Sequence, residues 1–317
     1  MIRGEVKVMV KIHMMKAYEG DFIWLSYGDI EKEYHILIDG GVKDCGERYA
    51  DVIRFISVKG ETIEAIILTH IDCDHIAGAC EGLAKVDAKV LQGTVKKIVF
   101  NTSEKIYKEI LVSKNSGGYG VKEGIEFWTK LKEKGIVDRI IERTIAGDII
   151  SLANGALLKV ISPGEEQLKK LLDKWETYEK EHTPVAYSPN LEQVKKNLDD
   201  LMRVRTKTDG SVNNASSIAF LFEYQDIKGA FLGDSKPSVC IEGLKKFNIK
   251  DVYSLDFIKL SHHGSISNTN LKLLKKLSTV NYLLSTNGHE KKVPSKVIIA
   301  KLLRNCQEEN KTETILY

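Results

Sequence analysis

Ten residues constrain this chain more than any other part of it. Thr69-His70-Ile71-Asp72-Cys73-Asp74-His75-Ile76-Ala77-Gly78 follows directly on the apolar run Ile66-Ile67-Leu68. Four good metal donors, His70, Asp72, Asp74 and His75, therefore crowd together at the end of a β-like segment. A loop leaving a buried strand points alternate side chains the same way, so His70 and Asp72 can converge on one cation while Asp74 and His75 face a neighbouring one. An isolated His-x-Asp is usually a polar corner whose histidine is merely hydrogen-bonded. The density of donors, the strand before them and the small Ala77-Gly78 after them point instead to metal-dependent hydrolysis.

The rest of the chain reads as strands and helices in alternation. Val6, Val8, Val10, Ile12 and Met14 alternate with mostly polar residues, the period of a half-buried strand. Residues 22–27 and 34–38 add two strands, 49–58 a helix, and 65–68 the strand before the metal loop. A helix is expected to begin at Ile76. Further on come a strand at 98–101, a helix at 123–134 and a hairpin over 148–161 turning at Asn154-Gly155. The second half repeats the pattern, with strands at 217–224, 230–232, 257–260 and 282–285 and helices at 239–247 and 271–277. Residues 162–210 interrupt it. Two amphipathic helices joined by His182-Thr183-Pro184, the first opened by Ser162-Pro163-Gly164-Glu165, read as an inserted hairpin that either covers substrate or only packs. At 317 residues and 43% hydrophobic content the chain is expected to be one domain, 1–317, with helical insertion 162–210.

Composition excludes little. A formal charge of +3 argues for no partner, so nucleic-acid binding would rest on local patches such as Arg203, Arg205 and Lys207, which alternate after the insertion and suit phosphate oxygens or plain solvent. Five scattered cysteines suit reduced thiols in a cytoplasmic protein, and Cys73 is read as structural rather than as a ligand. No apolar run approaches the ~20 residues needed to span a bilayer, so no membrane role is expected.

With these motifs in view, the metal loop resembles that of metallo-β-lactamase-fold hydrolases, His-x-His-x-Asp-His, with Asp72 where a second histidine is usual. Three more stretches resemble, in order, the branch containing the nuclease-like domain of bacterial DNA-uptake (competence) proteins. They are Ile36-Leu37-Ile38-Asp39-Gly40-Gly41, Asn213-Asn214-Ala215-Ser216-Ser217 followed by Phe231-Leu232-Gly233-Asp234, and Leu260-Ser261-His262-His263-Gly264-Ser265. The resemblance implies an α/β fold, a four-layer αββα sandwich. It implies that Asp234 bridges two metals, that His263 is the late ligand, and that Asp39 supports the metal loop without binding metal. His262 is left as a supporting residue or a product-side acid. His289, in Ser285-Thr286-Asn287-Gly288-His289, would donate a proton or contact phosphate, unless it is simply a surface histidine.

Asn213 and Asn214 stand where relatives carry a histidine, so one site keeps His70, Asp72 and an amide oxygen while the other keeps Asp74, His75 and His263. Oxygen donors make the first site harder, which shifts preference from Zn²⁺ towards Mn²⁺ or Mg²⁺. The expected cofactor is two divalent ions, Zn²⁺ and/or Mn²⁺, with Asp74 also serving the water they activate. The leading function is a phosphodiesterase or nuclease acting on DNA or RNA. The alternatives are a small-molecule hydrolase of a lactone, thioester, β-lactam or nucleotide, and a non-catalytic metal-binding interaction module. A partner protein or homo-oligomer is open.

Overall fold

The computed structural model describes residues 8–102, 121–177, 197–204, 209–288 and 293–317. It is mixed α/β, the class expected, and its residues cluster into two compact units. The first comprises Met1–Thr144, Ser151–Leu157 and Tyr224–Ile227; the second comprises Ile145–Ile150, Leu158–Glu223 and Lys228–Tyr317. Among the described residues no helix is long and apolar enough to cross a membrane.

The first unit is built on a six-stranded sheet in simple order: β1 (Met9–Met14), β2 (Ile23–Gly28), β3 (Glu33–Ile38), β4 (Thr62–Ile67), β5 (Ile98–Val99) and β6 (Ile140–Ile141). β1 to β3 form an antiparallel meander, and β3 to β6 run parallel. Parallel strands covered on both faces carry continuous apolar runs instead of alternating ones, and β3 and β4 obey this: Ile36, Leu37, Ala65, Ile66 and Ile67 are wholly buried. Helix α1 (Gly46–Val58) connects β3 to β4; α2 (Cys73–Lys85) and α3 (Ala88–Thr94) connect β4 to β5; α4 (Val121–Glu133) precedes β6. At Gly78 the backbone of α2 passes so near the loop after β3 that a Cβ there would lie 2.0 Å from the Gly40 carbonyl oxygen. That close approach docks the start of α2 onto the end of β3, the two places that carry this unit's candidate site residues.

Most residues of the seven-stranded sheet, of order β15-β14-β12-β10-β9-β8-β7, belong to the second unit, while Ser151–Leu157 and Tyr224–Ile227 are counted with the first. Its strands are β7 (Ile149–Ser151), β8 (Leu157–Ser162), β9 (Ala219–Tyr224), β10 (Ile227–Phe231), β12 (Phe257–Lys259), β14 (Asn281–Leu283) and β15 (Ile315–Leu316). Strands β10, β12, β14 and β15 are parallel neighbours, and β11 (Tyr253–Ser254) pairs separately with β13 (Leu277–Ser278). Asn154 and Gly155, at φ 55° and 80°, turn the chain between β7 and β8 as the Asn-Gly dipeptide predicts. The helices are α5 (Glu165–Thr177), α6 (Leu198–Met202), α7 (Val212–Ala215), α8 (Pro237–Lys246), α9 (Leu271–Lys276) and α10 (Lys296–Glu308). Leu221, Leu232, Leu244, Ile258, Leu274 and Ile298 share one buried core among these helices and strands. Each such side chain contributes about 1.5–3 kcal/mol on burial.

Several elements depart from the sequence reading, among them the short strands β6, β11, β13 and β15 and the one-turn helix α7, which have no counterpart in it. Helix α2 begins at Cys73 rather than Ile76, so Asp74 and His75 belong to its first turn. Helices α3 and α10 were not anticipated, although each has a side-chain cap, Asp87 accepting from the Lys89 amide and Ser295 from the Val297 amide. Of the helical insertion only α5, α6 and the short segments beside them are described; His182-Thr183-Pro184 lies outside the described residues.

Candidate metal centre

In the first unit the site grows from the end of β3. Asp39 is held at φ 54°, a left-handed conformation that costs a non-glycine residue about 1–3 kcal/mol. Its carboxylate, 1% exposed, gathers three donors. Oδ1 accepts the Thr69 amide at 2.8 Å, while Oδ2 accepts the Thr69 hydroxyl at 2.8 Å and His75 Nδ1 at 2.7 Å. A carboxylate only accepts, so His75 carries its proton on Nδ1. Thr69 has already given its one hydroxyl proton to Asp39, so its oxygen accepts from His70 Nδ1, 3.0 Å away. Both imidazoles are thereby fixed with Nε2 as the lone-pair nitrogen, the tautomer a metal requires.

The carboxylates of the loop lie beside those nitrogens. Asp72, in extended conformation (φ −67°, ψ 140°) at the N-cap of α2, makes no side-chain capping bond, and its Oδ2 is 3.5 Å from His70 Nε2. Asp74 Oδ2 is 4.0 Å from His75 Nε2. Two donors bound at about 2.0–2.2 Å around one ion at a tetrahedral angle sit roughly 3.3–3.6 Å apart, so these spacings are near what shared coordination needs. Asp21, unremarked in the sequence, offers a carboxylate oxygen within 4.8 Å of donor atoms of Asp39 and His75. Asp21, Asp39 and Asp74 are all buried, and a cluster of buried negative charge is the setting that a cation stabilises.

The second unit holds the remaining sequence candidates. Asp234, 2% exposed, follows Gly233 at the end of β10; its amide donates to Ser217 Oγ at 3.0 Å and its carbonyl accepts from Asn268 Nδ2 at 2.9 Å. His262, His263 and Gly264 form a left-handed turn with φ 48°, 53° and 75°. His263 is wholly buried, and its Nδ1 donates to the Ser285 carbonyl at 3.0 Å, so Nε2 is again the lone-pair nitrogen. His262 is half-buried, with Nε2 3.6 Å from Asp234 Oδ2. Asn268 has both amide hydrogens engaged, on Asp209 Oδ2 at 3.0 Å and on the Asp234 carbonyl, so its Oδ1 must accept from His262 Nδ1 at 3.0 Å. The 3.3 Å approach of Asn214 Nδ2 to the same nitrogen is then a contact between two donors, not a bond.

Asn214 sits in the one-turn helix α7, capped by Ser211. Its Nδ2 donates to Asp209 Oδ2 at 2.6 Å, which leaves Oδ1 buried with no hydrogen-bond partner among the described residues. A buried acceptor of that kind fits a hard cation. Asn213 is buried in the same turn, with its carbonyl accepting the Ser216 hydroxyl at 2.8 Å. Burial opposes charge on Asp209, yet His262, the Ser211 amide, Asn268 and Asn214 together hold its carboxyl well below the usual range. Burial likewise lowers the basicity of His262, but Asp234, Asp209 and Asn268 outweigh it, and His263 with it, and raise the imidazole above its ordinary value. Asp209 and Asn268 have no motif around them, and sequence spacing gives no reason to single them out.

Of the other candidates, Arg203 is exposed just after α6, while Arg205, Lys207 and His289 lie outside the described residues. One further cluster, Glu33, His35 and Glu61, has the right atoms for a metal. Its bonding is that of a structural network. Trp24 Nε1 donates to His35 Nδ1 at 3.1 Å, so the proton sits on Nε2 and meets Glu61 at 2.8 Å, and Lys11 and Lys59 pair with the two glutamates.

Residues 29–133, which include Asp39 and the whole loop from Thr69 to Gly78, match the model of the Metallo-beta-lactamase superfamily. The matched stretch is about a third of the chain, and over it the sequence is similar to that superfamily. No curated protein sequence matches it. Among solved structures it is similar to CmlA, a diiron beta-hydroxylase from Streptomyces venezuelae (13% identity, 99% of this chain, 53% of that one, TM-score 0.46). It is also similar to a metallo-beta-lactamase from Staphylococcus aureus subsp. aureus COL (15% identity, 95% of this chain, 67% of that one, TM-score 0.37). A third is a diphosphatase of the PhnP family (15% identity, 84% of this chain, 72% of that one, TM-score 0.36). The chain spans about half the length of the CmlA chain.

Proposed function

We propose that this protein is a metal-dependent hydrolase that cleaves phosphodiesters, with DNA or RNA as its substrate class. The observation that carries the metal is the shared state of three buried imidazoles. His70, His75 and His263 each donate through Nδ1, to Thr69, Asp39 and Ser285, and so each presents Nε2 as a lone-pair donor. The family resemblance assigns the ions to His70, Asp72, Asp74, His75, Asp234 and His263, and the buried Oδ1 of Asn214, which has no hydrogen-bond partner among the described residues, is a hard donor that suits a cation. Two divalent ions held there would polarise a phosphoryl oxygen and lower the pKa of a water near neutrality. Mixed nitrogen and oxygen donors favour Zn²⁺ or Mn²⁺, with Mg²⁺ tolerated.

This chain's own residues supply the rest. Asp39 keeps two imidazoles in register, Asp74 can accept a proton from the attacking water, and His262 stands beside Asp234, where the imidazolium form, carrying a second proton on Nε2, can donate it to the leaving oxygen. The phosphodiester reading rests on Asp72 and on the Asn-Asn-x-Ser-Ser and His-His-Gly-Ser stretches, which resemble the nuclease branch more than the lactonases. Arg203, Arg205 and Lys207 would contact phosphates of a polymer. The test is turnover of bis-p-nitrophenyl phosphate, nitrocefin and a homoserine lactone with Zn²⁺, Mn²⁺ and Mg²⁺. Turnover of the phosphodiester alone supports the reading. Turnover of nitrocefin or the lactone alone replaces it with a small-molecule hydrolase, and metal uptake without any turnover replaces it with a binding module.

A further inference from the structure

Asp209 has no part in the metal assignments above, yet its bonding is unusually complete. Oδ1 accepts the Ser211 amide at 2.8 Å, an ordinary turn contact. Oδ2 does something else: it accepts Asn214 Nδ2 at 2.6 Å and Asn268 Nδ2 at 3.0 Å, and lies 3.7 Å from His262 Nδ1. Two amide side chains, from α7 and from the segment after His262, thus converge on one carboxylate oxygen. Their common neighbour is the His262 imidazole.

The convergence has a mechanical effect on that imidazole. Because Asn268 is tied at Nδ2 to both Asp209 and the Asp234 carbonyl, its Oδ1 cannot turn away from His262 Nδ1. The His262 backbone is pinned as well, its amide donating to the Gly233 carbonyl at 2.9 Å while φ stays at 48°. With Nδ1 and the backbone both held, the ring has one orientation left, and that orientation sets Nε2 3.6 Å from Asp234 Oδ2. A left-handed histidine held on both sides is the kind of local strain that persists when the surrounding structure over-determines it.

We propose that Asp209 is a positioning residue: through Asn268 it locks His262 so that Nε2 is held beside Asp234, on the leaving-oxygen side of a phosphodiester substrate. This rests on the phosphodiesterase reading for the identity of the substrate, but the lock itself does not. A purely structural Asp209 would serve only the turn at Ser211, through Oδ1. A positioning Asp209 acts through Oδ2, and its effect must vanish when His262 is gone.

The test uses the full chain and two independent readouts. In metal-free, 15N-histidine-labelled protein, a hydrogen-bonded Nδ1–H signal that disappears in His262→Gln identifies His262. That signal is expected to be lost in both Asp209→Asn and Asn268→Ala, with the signals of His70, His75 and His263 retained. In the Mn²⁺-loaded protein, Asp209→Asn is expected to lower kcat on bis-p-nitrophenyl phosphate about ten- to a hundredfold, the range for a lost supporting hydrogen bond, with KM and metal content unchanged. The double variant Asp209→Asn/His262→Gln should be no slower than His262→Gln alone. Additive losses in the double variant, or a His262 signal that survives in both single variants, would overturn the proposal. If the parent cleaves no phosphodiester, the functional reading fails, and the magnetic resonance arm alone still decides whether Asp209 and Asn268 hold the ring.

Discussion

Asp39 Oδ2 lies 2.7 Å from His75 Nδ1 and 2.8 Å from Thr69 Oγ1, so a single carboxylate oxygen sets the tautomer of His75 directly and that of His70 through the threonine hydroxyl. Asp39→Asn preserves shape but not this arrangement, because an amide has one accepting oxygen and turns a donor towards His75 or Thr69. Metal affinity is expected to fall about 10- to 100-fold, measured by competition with a chelator. Thr69→Val, which disconnects only His70, should cost less. An Asp39→Asn protein that binds metal as the parent does would show that the tautomers are fixed elsewhere.

Asp234 and His75 are expected to be indispensable for a bound metal pair. Alanine at either position should abolish hydrolysis, while circular dichroism and thermal unfolding show the fold retained. Elemental analysis of Asp234→Ala should show less than the parent's metal content. Full occupancy there would end the bridging role assigned to this carboxylate.

The sequence exposes the donors of this protein better than their supports. The crowding of His70, Asp72, Asp74 and His75 is a local fact, visible without a fold. The onset of α2 is not legible in the sequence because Asp72-Cys73-Asp74 reads as loop: Asp72 makes no side-chain capping bond, so the usual signal is missing. The supports are invisible for a different reason. Asp209, Asn268 and Asp21 are single polar residues in turn-like stretches, and only the tertiary structure brings Asp209 and Asn268 to His262, or Asp21 to Asp39. His262 and His263 cannot be told apart by tautomer, since both carry the proton on Nδ1; what separates them is burial, complete only for His263.

His35 predicts a pH dependence of stability in the first unit. Burial lowers the pKa of this imidazole, and Glu61 raises it by less than burial takes away. Below about pH 6.5 the unfolded chain therefore binds a proton that the folded chain resists. The unfolded state gains protons, so stability from this group is full above pH 6.5 and is lost as pH falls from there to the folded value. His35→Gln can still accept from Trp24 and donate to Glu61 without titrating. In metal-free protein, the parent should lose stability relative to His35→Gln as urea midpoints are followed from pH 7 to 5. A constant difference across that window would show that His35 titrates alike in both states.

Asp72→His tests which metal the loop prefers. The Asp72 carboxylate stands 3.5 Å from His70 Nε2, a spacing that two donors on one ion can adopt, and it brings a hard oxygen where related loops carry imidazole. Zn²⁺ is favoured by nitrogen donors far more than Mn²⁺ is, so each imidazole replaced by a carboxylate narrows the gap between them. Asp72→His should reverse that. The ratio of Zn²⁺ to Mn²⁺ affinity is expected to rise at least about tenfold, equivalent to roughly 1.4 kcal/mol, and the activity optimum should move from Mn²⁺ towards Zn²⁺. Competition of the two ions for the metal-free protein, read beside turnover of a phosphodiester, measures both. The side chain at this position is about a third exposed (35%), so the substitution can be made without refilling the core, and a changed metal profile would report on ligation rather than on folding. An unchanged profile would remove Asp72 from the ligand set.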